Sequence, residues 1–431
     1  MFFLWTWLPI VNRPSIVFVN RVFPPDFGAT GRCAFDLATR MAEDGWRVTV
    51  VADGTGDEGG GSSSASHGVT VVRTGAGLRG QGVSMLRDYL GALRRLTLRA
   101  MRLPRQDVVV TMTDPPLTAC VGPMLAAWHG ASAIHWSHDL YPALLPVLGL
   151  RFPEPLFRTV ERATARALRR HDAVVAIGRC MARRVTALGV GPERITVLPN
   201  WADPGIRPVA RTANRFRAEL GLGERFTVAY SGNLGLAHPT AGLLDAAEEL
   251  ARTDPDIAFL VIGEGRGRPA LESAAAARGL GNLRFLPLQP AERLSESLSA
   301  ADLHLATMDP RAEGLLVPCK VAGALAAGRP CLFLGPAGSE AASLVEGCGR
   351  ALAPMDGPSL ASAVRDYARN PTRCAAEGRR ALAVSSGWDA DAAARRFAAL
   401  AESLLGGQGR RTAMPARLPC PPVATRRLPH A

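Results

Sequence analysis

Short runs of β-branched and other apolar residues alternate along this chain with longer segments in which apolar residues recur every three or four positions. The run SIVFVN (15–20) comes first, and the helical pattern RCAFDLATRMAEDG that follows ends at a glycine. Such a run is typical of a buried strand, and such a segment of an amphipathic helix. Further strands are predicted at 46–52, 107–112, 132–139, 172–177 and 195–199. Strands that alternate with helices predict a parallel, Rossmann-like sheet.

The same alternation starts again after NWADPGIRP (200–208), whose turn-forming residues indicate a linker. The second set of predicted strands lies at 226–235, 257–265, 282–288, 301–308 and 330–335. The predicted fold class is therefore α/β, with two Rossmann-like domains facing a cleft. The predicted divisions are a first domain at 1–203, a second at 204–387, a closing amphipathic helix at 388–405 and a disordered, basic tail at 406–431.

The composition fits a globular protein, with 47% hydrophobic and 20% charged residues. No apolar run approaches the roughly 20 residues that a membrane-spanning helix needs. The apolar opening, residues 1–12, lacks the basic start and the cleavage site of a signal peptide. It is interpreted as a membrane-touching extension or as residues upstream of the true start. The eight cysteines form no C-x-x-C pair, which argues against a zinc site and for a reducing cytoplasm.

The net charge of +12 indicates an anionic partner. A nucleotide or a lipid surface fits better than nucleic acid, because few aromatic residues lie among the basic ones. Residues 86–104 place an apolar stripe between arginines, and its members are Leu86, Leu90, Leu93, Leu96, Ala100 and Leu103. Two interpretations stay open for this segment: a helix packed on the sheet, or a helix that docks on an anionic membrane.

Two glycine-rich turns follow the first predicted strand of each half. FGATG (27–31) and SGNLG (231–235) can bring backbone amides close to an anion, since glycine adds no side chain. Ligands of open α/β sheets bind beyond the carboxyl ends of strands, so both turns should face the cleft. GEGRGRPALE (263–272) also follows a strand, but its G-x-G-x-G spacing favours a tight turn over a nicotinamide or flavin site.

Several segments in this order resemble family 4 glycosyltransferases of the GT-B fold. They are FPPDFGATGRCAFDLATRMAEDGWRVTVVA, DAVVAIGRCMARRVTALGVGPERITVLPNWAD, YSGNLG, GLLVPCK and LAAGRP, and they look most like the bacterial branch that builds surface polysaccharides. The resemblance implies an acceptor-binding first domain, a second domain that binds the nucleotide sugar, and a helix at 388–405 that crosses back. It also implies retaining transfer of a hexose from a nucleoside-diphosphate sugar, UDP by family tendency, with no metal and no separate cofactor. Its diphosphate would lie at Gly28, Gly31, Gly232 and Asn233.

Lys320, in VPCK, is the only lysine among 50 basic residues. It is either an accident of a coding bias towards arginine or a position that needs a compact ammonium group, which suits a phosphate oxygen better than a planar guanidinium does. The loop resembles the family's V-P-S-K, which implies that Lys320 neutralises the leaving diphosphate. Cys319 stands where serine is usual, so a hydroxyl contact with phosphate is absent there.

A carboxylate that many family members use to hold the ribose is missing, since its position is Gly323 here. The nearby acids are Glu313 and Glu340. Glu313 resembles the first acid of the family's paired motif, and we interpret it as a catalytic-site residue that contacts sugar hydroxyls. Glu340 is a weaker candidate that would face the nucleotide. The alternative for either is a solvated loop acid.

On the acceptor side, HWSHDLYP (135–142) follows a predicted strand of the first half. His138 and Asp139 are the predicted catalytic pair, because histidine can exchange a proton with a hydroxyl near neutral pH and the acid could fix its tautomer or hold the acceptor. His135 and Asp114 are predicted acceptor contacts. The alternative is that these side chains cap strand ends.

Three functions remain in competition. The first is a glycosyltransferase that uses a nucleotide sugar and a glycan or lipid-linked acceptor. The second is a UDP-sugar 2-epimerase, which would need several acids near the donor sugar. The third is a non-catalytic protein that only binds a nucleotide sugar, as the glycine at residue 323 could indicate. The expected location is the cytoplasm, peripheral on the inner face of the plasma membrane, with an anionic membrane surface as a further partner.

Overall fold

The computed structural model describes residues 13–26, 28–54, 63–75 and 83–406. The apolar opening at 1–12 and residues 407–431 of the predicted tail lie outside these ranges. Residues 55–62, which belong to a segment expected to be a flexible loop, lie outside them too.

The first half is an eight-stranded sheet whose strands run β3-β4-β2-β1-β5-β6-β7-β8 across it. All neighbours are parallel except β3 and β4. The strands are β1 (Ser15–Val19), β2 (Arg47–Ala52), β3 (Ser63–Ser66), β4 (Val69–Arg73), β5 (Val108–Met112), β6 (Ser132–Ser137), β7 (Ala173–Ala176) and β8 (Ile195–Val197). The helices are α1 (Ala29–Glu43), α2 (Val83–Met101), α3 (Thr118–His129), α4 (Glu154–Leu168) and α5 (Arg179–Ala187). Every residue of β1 is buried, which is why a continuous apolar run predicted it.

The second half is a parallel six-stranded sheet in the order β11-β10-β9-β12-β13-β14. Its strands are β9 (Phe226–Ser231), β10 (Ile257–Ile262), β11 (Leu283–Leu286), β12 (Leu303–Thr307), β13 (Cys331–Leu334) and β14 (Gly349–Leu352). Its helices are α6 (Arg215–Glu219), α7 (Ala241–Thr253), α8 (Arg268–Ala277), α9 (Leu294–Ser299), α10 (Lys320–Ala326), α11 (Glu340–Leu344), α12 (Gly357–Ala368) and α13 (Pro371–Ser386).

The last helix, α14 (Ala390–Gly406), returns to the first half and packs on α1. The ring of Phe397 lies 5.9 Å from that of Phe18 on β1 and 5.5 Å from that of Trp136 on β6. Phe397 is buried, so this helix is part of the core of the first half. The predicted architecture of two Rossmann-like domains with a helix that crosses back is confirmed.

Three strands were not predicted from the hydrophobic pattern. One is β4 (Val69–Arg73), an apolar segment that pairs with β2 and β3 inside the sheet, and the other two are edge strands. Ser63–Ser66, within the expected loop at 54–68, forms the edge strand β3, and Gly349–Leu352 forms the edge strand β14. Edge strands carry polar or small residues because one side of the strand has no neighbour in the sheet. The apolar runs that identify central strands are therefore absent from both segments.

The expected stripe of the helix at 86–104 is partly wrong. Helix α2 buries Ala92, Leu96 and Ala100 against the sheet, whereas Leu90 is 51% exposed. The buried face is thus narrower than the leucine pattern indicates. Among the residues that the structure describes, no helix is both long and apolar enough to cross a bilayer.

The two halves meet where the strands of both sheets end. The backbone amide of Leu140, just after β6, donates to the carbonyl oxygen of Leu315 at 2.8 Å. The carboxylate of Glu340, at the start of α11, accepts from the backbone amide of Arg179 at 2.6 Å and from its guanidinium group at 3.2 and 3.3 Å. The loops that follow the strands of each half therefore line one shared cleft.

Candidate active site between the two halves

Lys320 lies directly against the first glycine turn of the second half. Its aliphatic carbons pack over Gly232, where a β-carbon would stand 3.3 Å from Cγ, and its ammonium group is 5.1 Å from the centre of the Tyr230 ring. No carboxylate pairs with this ammonium group within the described ranges. A half-buried cation held by an aromatic ring and without an acidic partner is suited to bind an anion.

The turn at Gly232–Gly235 packs against the glycine-rich segment 263–267. A β-carbon on Gly263 would collide with the carbonyl oxygen of Gly232, and one on Gly265 would lie 2.6 Å from the carbonyl oxygen of Leu234. Both glycines have positive φ angles, 137° and 145°. The G-x-G of this segment therefore serves close packing under the donor turn. The side chain of Asn233 is exposed, and its Oδ1 would lie 2.5 Å from a β-carbon on Gly265.

His238 was not among the sequence-predicted site residues. Its Nδ1 donates to the carbonyl oxygen of Thr307 at 2.6 Å, which leaves Nε2 as an acceptor. Burial, assisted by the nearby charge of Lys320, lowers the pKa of His238 to about 3, so the ring is neutral beside the ammonium group. The signal in the sequence was weak, because a histidine seven residues beyond a strand has no fixed distance from a lysine 82 positions later.

Glu313 lies at the contact between the halves. Its backbone carbonyl oxygen accepts from Nε of Arg184 at 3.1 Å, and its carboxylate lies against Gly338, where no side chain could be accommodated without moving it. The carboxylate has no hydrogen-bond or ion-pair partner in the described part of the chain. It is therefore available for sugar hydroxyls, as the resemblance implies.

The second acid, Glu340, is engaged elsewhere. Its side chain is 5% exposed and bound to Arg179, so it joins the two halves, and a contact with the nucleotide stays a prediction. Gly323 lies in α10 with ordinary contact distance to its nearest neighbour, Leu298, at 3.5 Å. Gly323 itself supplies no carboxylate at this position.

Gly28 and Gly31 bring the start of α1 close to the loop after β1. A β-carbon on Gly31 would lie 2.9 Å from the carbonyl oxygen of Val22, and one on Gly28 would lie 3.0 Å from Cγ1 of Val22. The first turn of α1 carries no acid and no side-chain cap. Arg32, which follows, donates to the carbonyl oxygen of Trp201 at 2.8 Å. This positive helix end belongs to the same cleft, and diphosphate binding by both glycines stays a prediction.

His138 is held at the end of β6 by contacts other than those expected. Its Nδ1 lies 3.4 Å from the amide nitrogen of Asn200, not beside the carboxylate of Asp139. The Asn200 amide donates, so Nε2 carries the proton, and this buried Nε2 finds no partner in the described residues. Burial lowers the pKa of His138 to about 3, and Arg32 lowers it further. The ring is therefore a neutral donor with one unused hydrogen.

Asp139 is the acid with the most unusual environment in the first half. Burial, assisted by the charge of Asp114, raises the pKa of its carboxyl group to about 7. Its backbone amide is fixed by the hydroxyl of Thr113 at 3.2 Å. His135 lies deeper, where Nδ1 contacts the hydroxyl of Thr111 at 3.1 Å. The geometry therefore favours Asp139 over His135 for direct contact with an acceptor, although both line one small hollow.

Asp114 forms a two-pronged ion pair with Arg21, and each N–O distance is 2.6 Å. The guanidinium group of Arg21 also lies 5.8 Å from the centre of the Tyr89 ring. Both carboxylate oxygens of Asp114 bind Arg21, so Asp114 can fix the position of Arg21, and the Arg21 guanidinium group can contact an acceptor. Arg21 directly follows the first strand and its flanking asparagine. Ligands bind beyond the carboxyl ends of strands, so this position was a signal in the sequence for a site residue.

No three histidine, cysteine, aspartate or glutamate side chains within the described ranges are grouped so as to hold a metal ion. Lys320, Arg21 and Arg32 are among the cations that face the cleft. These groups, together with backbone amides, are the means by which this site can meet the charge of a diphosphate.

Sequence families match both halves of the chain. Residues 28–201 match the Glycosyl transferase 4-like domain, and residues 225–370 match Glycosyl transferases group 1. The two ranges cover most of both sheets and all of the candidate site residues named above except Arg21.

Curated relatives match a shorter part. WcaI of Escherichia coli K12, named for colanic acid biosynthesis, is 28% identical over 255 residues, 58% of this chain and 62% of that protein. The glycosyltransferase WbjE of Pseudomonas aeruginosa is 27% identical over 271 residues, 62% of this chain and 66% of that protein. The chain thus matches slightly less than two thirds of the length of either relative.

Solved structures share the fold over nearly the whole chain. Sucrose-phosphate synthase of Thermosynechococcus elongatus has a TM-score of 0.75 at 18% identity, covering 92% of this chain and 100% of that one. HepE of Anabaena, solved in complex with UDP, has a TM-score of 0.68 at 18% identity, covering 90% and 100%. WaaG, a glycosyltransferase involved in lipopolysaccharide biosynthesis, has a TM-score of 0.64 at 17% identity, covering 90% and 99%. These likenesses establish the architecture.

Proposed function

Because the chain belongs to family 4 of the glycosyltransferases, with the GT-B fold, we propose that it transfers a hexose from a UDP-sugar to a glycan or lipid-linked acceptor. The transfer retains the anomeric configuration and needs no metal ion. The observation that carries the proposal is the ammonium group of Lys320, which lies beside the Gly232 turn and the Tyr230 ring and has no acidic partner among the described residues. The UDP complex of HepE and the names of WcaI and WaaG support the donor base and a cell-surface product.

In the proposed reaction, the bond between the anomeric carbon and the β-phosphate oxygen breaks, and the acceptor hydroxyl oxygen bonds to the same carbon on the same face. Lys320 and the amides of the Gly232 turn meet the charge of the leaving UDP. Glu313 holds hydroxyls of the transferred sugar. The contacts of Lys320 and of the Gly232 amides strengthen as negative charge develops on the diphosphate, which is how they lower the barrier.

On the acceptor side, the ionised carboxylate of Asp139 accepts a hydrogen bond from the attacking hydroxyl and takes its proton. A carboxyl pKa near 7 suits this task at neutral pH. The protonated Nε2 of His138 donates to a neighbouring oxygen of the acceptor or the donor. Arg21, fixed by Asp114, supplies a second donor group for the acceptor.

The test is calorimetric titration of UDP and GDP into wild type, Lys320→Ala and the exposed second-half control Arg252→Ala, followed by UDP release from candidate UDP-sugars with and without chelator. We expect UDP binding that Lys320→Ala weakens at least about tenfold, because a charge-assisted phosphate contact is lost, and that the control leaves unchanged. Binding of neither nucleotide to wild type would overturn the proposal. Binding without any turnover would favour a non-catalytic protein, and an epimerised UDP-sugar formed without acceptor would favour a 2-epimerase.

A further inference from the structure

Helix α2 has an outward stripe in which arginine and leucine alternate. Spacings of three and four residues place on this one face Arg87, Leu90, Arg94, Leu98 and, just past the helix end, Arg102. Leu90 is 51% exposed and Leu98 is 38% exposed. The opposite face is the one that packs on the sheet, so this stripe is not needed for the core.

Helix α3 continues that surface without any charge. Thr118–His129 contains no lysine, arginine, aspartate or glutamate, yet Met124 is 47% exposed and Trp128 is 61% exposed, one turn apart. The indole nitrogen of Trp128 donates to the carbonyl oxygen of Met101 at 2.9 Å, so the ring lies against the end of α2. Leu98 is one turn before Met101, so it lies at the end of α2 against which the Trp128 ring is held.

We propose that this α2–α3 surface docks on an anionic phospholipid bilayer. The surface consists of Arg87, Leu90, Arg94, Leu98, Arg102, Met124 and Trp128. Its apolar side chains suit the boundary of the acyl chains, where tryptophan is favoured, and its arginines suit the phosphate groups above it. Asp88 is the only acid on either helix, so the charge of the surface matches a negative membrane.

The α2–α3 surface lies next to the predicted acceptor pocket, so docking would bring that pocket close to the membrane. Tyr89, next to Leu90, lies beside Arg21, which is paired with Asp114 in the predicted acceptor pocket. An acceptor carried by a membrane lipid would thus enter the pocket from the edge of the docked surface. This step rests on the proposed function, whereas docking itself can be tested without any donor or acceptor.

The experiment is flotation of the full chain with vesicles made of equal parts phosphatidylcholine and phosphatidylglycerol, at low and high salt. Wild type should float with these vesicles at low salt, float less at high salt because screening weakens the attraction, and not float with pure phosphatidylcholine. Arg94→Glu with Arg102→Glu should lower the partition coefficient by about tenfold or more, because two attractive charges become repulsive. Leu98→Ser with Trp128→Ser should lower it also.

The matched control reverses two exposed arginines of the second half, Arg215→Glu with Arg252→Glu, and should change partitioning by no more than about twofold if docking is local. Equal losses in both charge variants would overturn the proposal, and so would a wild type that never floats. It would equally be overturned if wild type is a dimer that Leu98→Ser with Trp128→Ser converts to a monomer. UDP titration of every variant separates the two proposals, since docking predicts unchanged UDP affinity.

Discussion

At the scale of single residues, the surroundings of Lys320 favour a lysine over an arginine. Its methylene groups cover Gly232 and its ammonium group faces the Tyr230 ring, so the space there fits a narrow chain with a compact charge. A guanidinium group is wider and planar. The surroundings therefore give a physical reason for a lysine in a chain that otherwise uses arginine.

The first prediction follows from that fit. Lys320→Arg keeps the charge but should still weaken UDP binding by about threefold to tenfold, because the fork cannot occupy the same space. Calorimetry against wild type and Lys320→Ala measures the difference. Full affinity in Lys320→Arg would show that only charge matters at this position.

The second prediction concerns Asp139, whose folded pKa of about 7 lies above the ordinary carboxyl value of 3.8. The folded state binds the proton more tightly, so the stabilisation is complete below pH 3.8 and is lost as the pH rises through 7. Activity should change in the opposite direction, rising through pH 7 as the base ionises. Asp139→Asn should abolish this rise, lower turnover about a hundredfold or more, and be about 1–2 kcal/mol more stable than wild type at pH 8.

Denaturant unfolding from pH 5 to pH 8 and initial rates over the same range provide both measurements. Asp172→Asn is a matched control, since that acid lies outside the cleft and accepts from the backbone amide of Ala133. A wild-type rate that is independent of pH would remove Asp139 as the base.

At the scale of elements, two glycines differ in what surrounds them. One lies inside a helix with free space beside it, and the other lies in a loop that is packed against another helix. Gly323 is inside α10, and an added β-carbon would meet only Leu298 at 3.5 Å. Gly314 has a φ of 72°, and an added β-carbon would stand 2.7 Å from Cγ of Arg184 and 2.8 Å from the carbonyl oxygen of Cys180. The first site tolerates a side chain, and the second does not.

The third prediction is therefore a pair of opposite effects. Gly323→Ala should raise the free energy of unfolding by about 0.5–1 kcal/mol, because alanine favours a helix interior over glycine. Gly314→Ala should lower it by at least about 1–2 kcal/mol, because the left-handed backbone and the contact with α5 both oppose a side chain. Thermal and denaturant unfolding of the two variants test the signs. A stabilising Gly314→Ala would mean that the two halves are not packed at this loop in solution.

At the scale of the whole molecule, the ion pair between Arg179 and Glu340 joins the starts of α5 and α11, which are 161 positions apart in sequence. The Glu340 side chain is 5% exposed and that of Arg179 is 50% exposed. Loss of the buried partner is the more costly change, because the amide and the guanidinium group of Arg179 would both lose their acceptor.

The fourth prediction is that Glu340→Ala lowers the free energy of unfolding by about 1–3 kcal/mol and enlarges the radius of gyration, since the halves are then held less closely. Arg179→Ala should have a smaller effect, because the backbone amide still donates to the carboxylate. Denaturant unfolding and small-angle scattering measure the two quantities. An equal loss of unfolding free energy in both variants would contradict this prediction, because it would mean that the bond to the Arg179 backbone amide contributes nothing.

By itself the sequence determined most strands of the two sheets, the helix that returns, and the glycine turns with Lys320. Central strands are buried on both faces and so appear as continuous apolar runs. Glycine marks the turns in the sequence because it allows close backbone approach, whereas the groups that pack against it, such as Lys320 against Gly232, come from the tertiary structure. Only the tertiary structure decided that Leu90 faces outwards, that Asn200 and not Asp139 contacts His138, that Glu340 joins the halves, and that His238 lies beside Lys320. Each of these depends on which strands are neighbours and on how the two halves close, and no local pattern encodes a contact between loops that far apart in the chain.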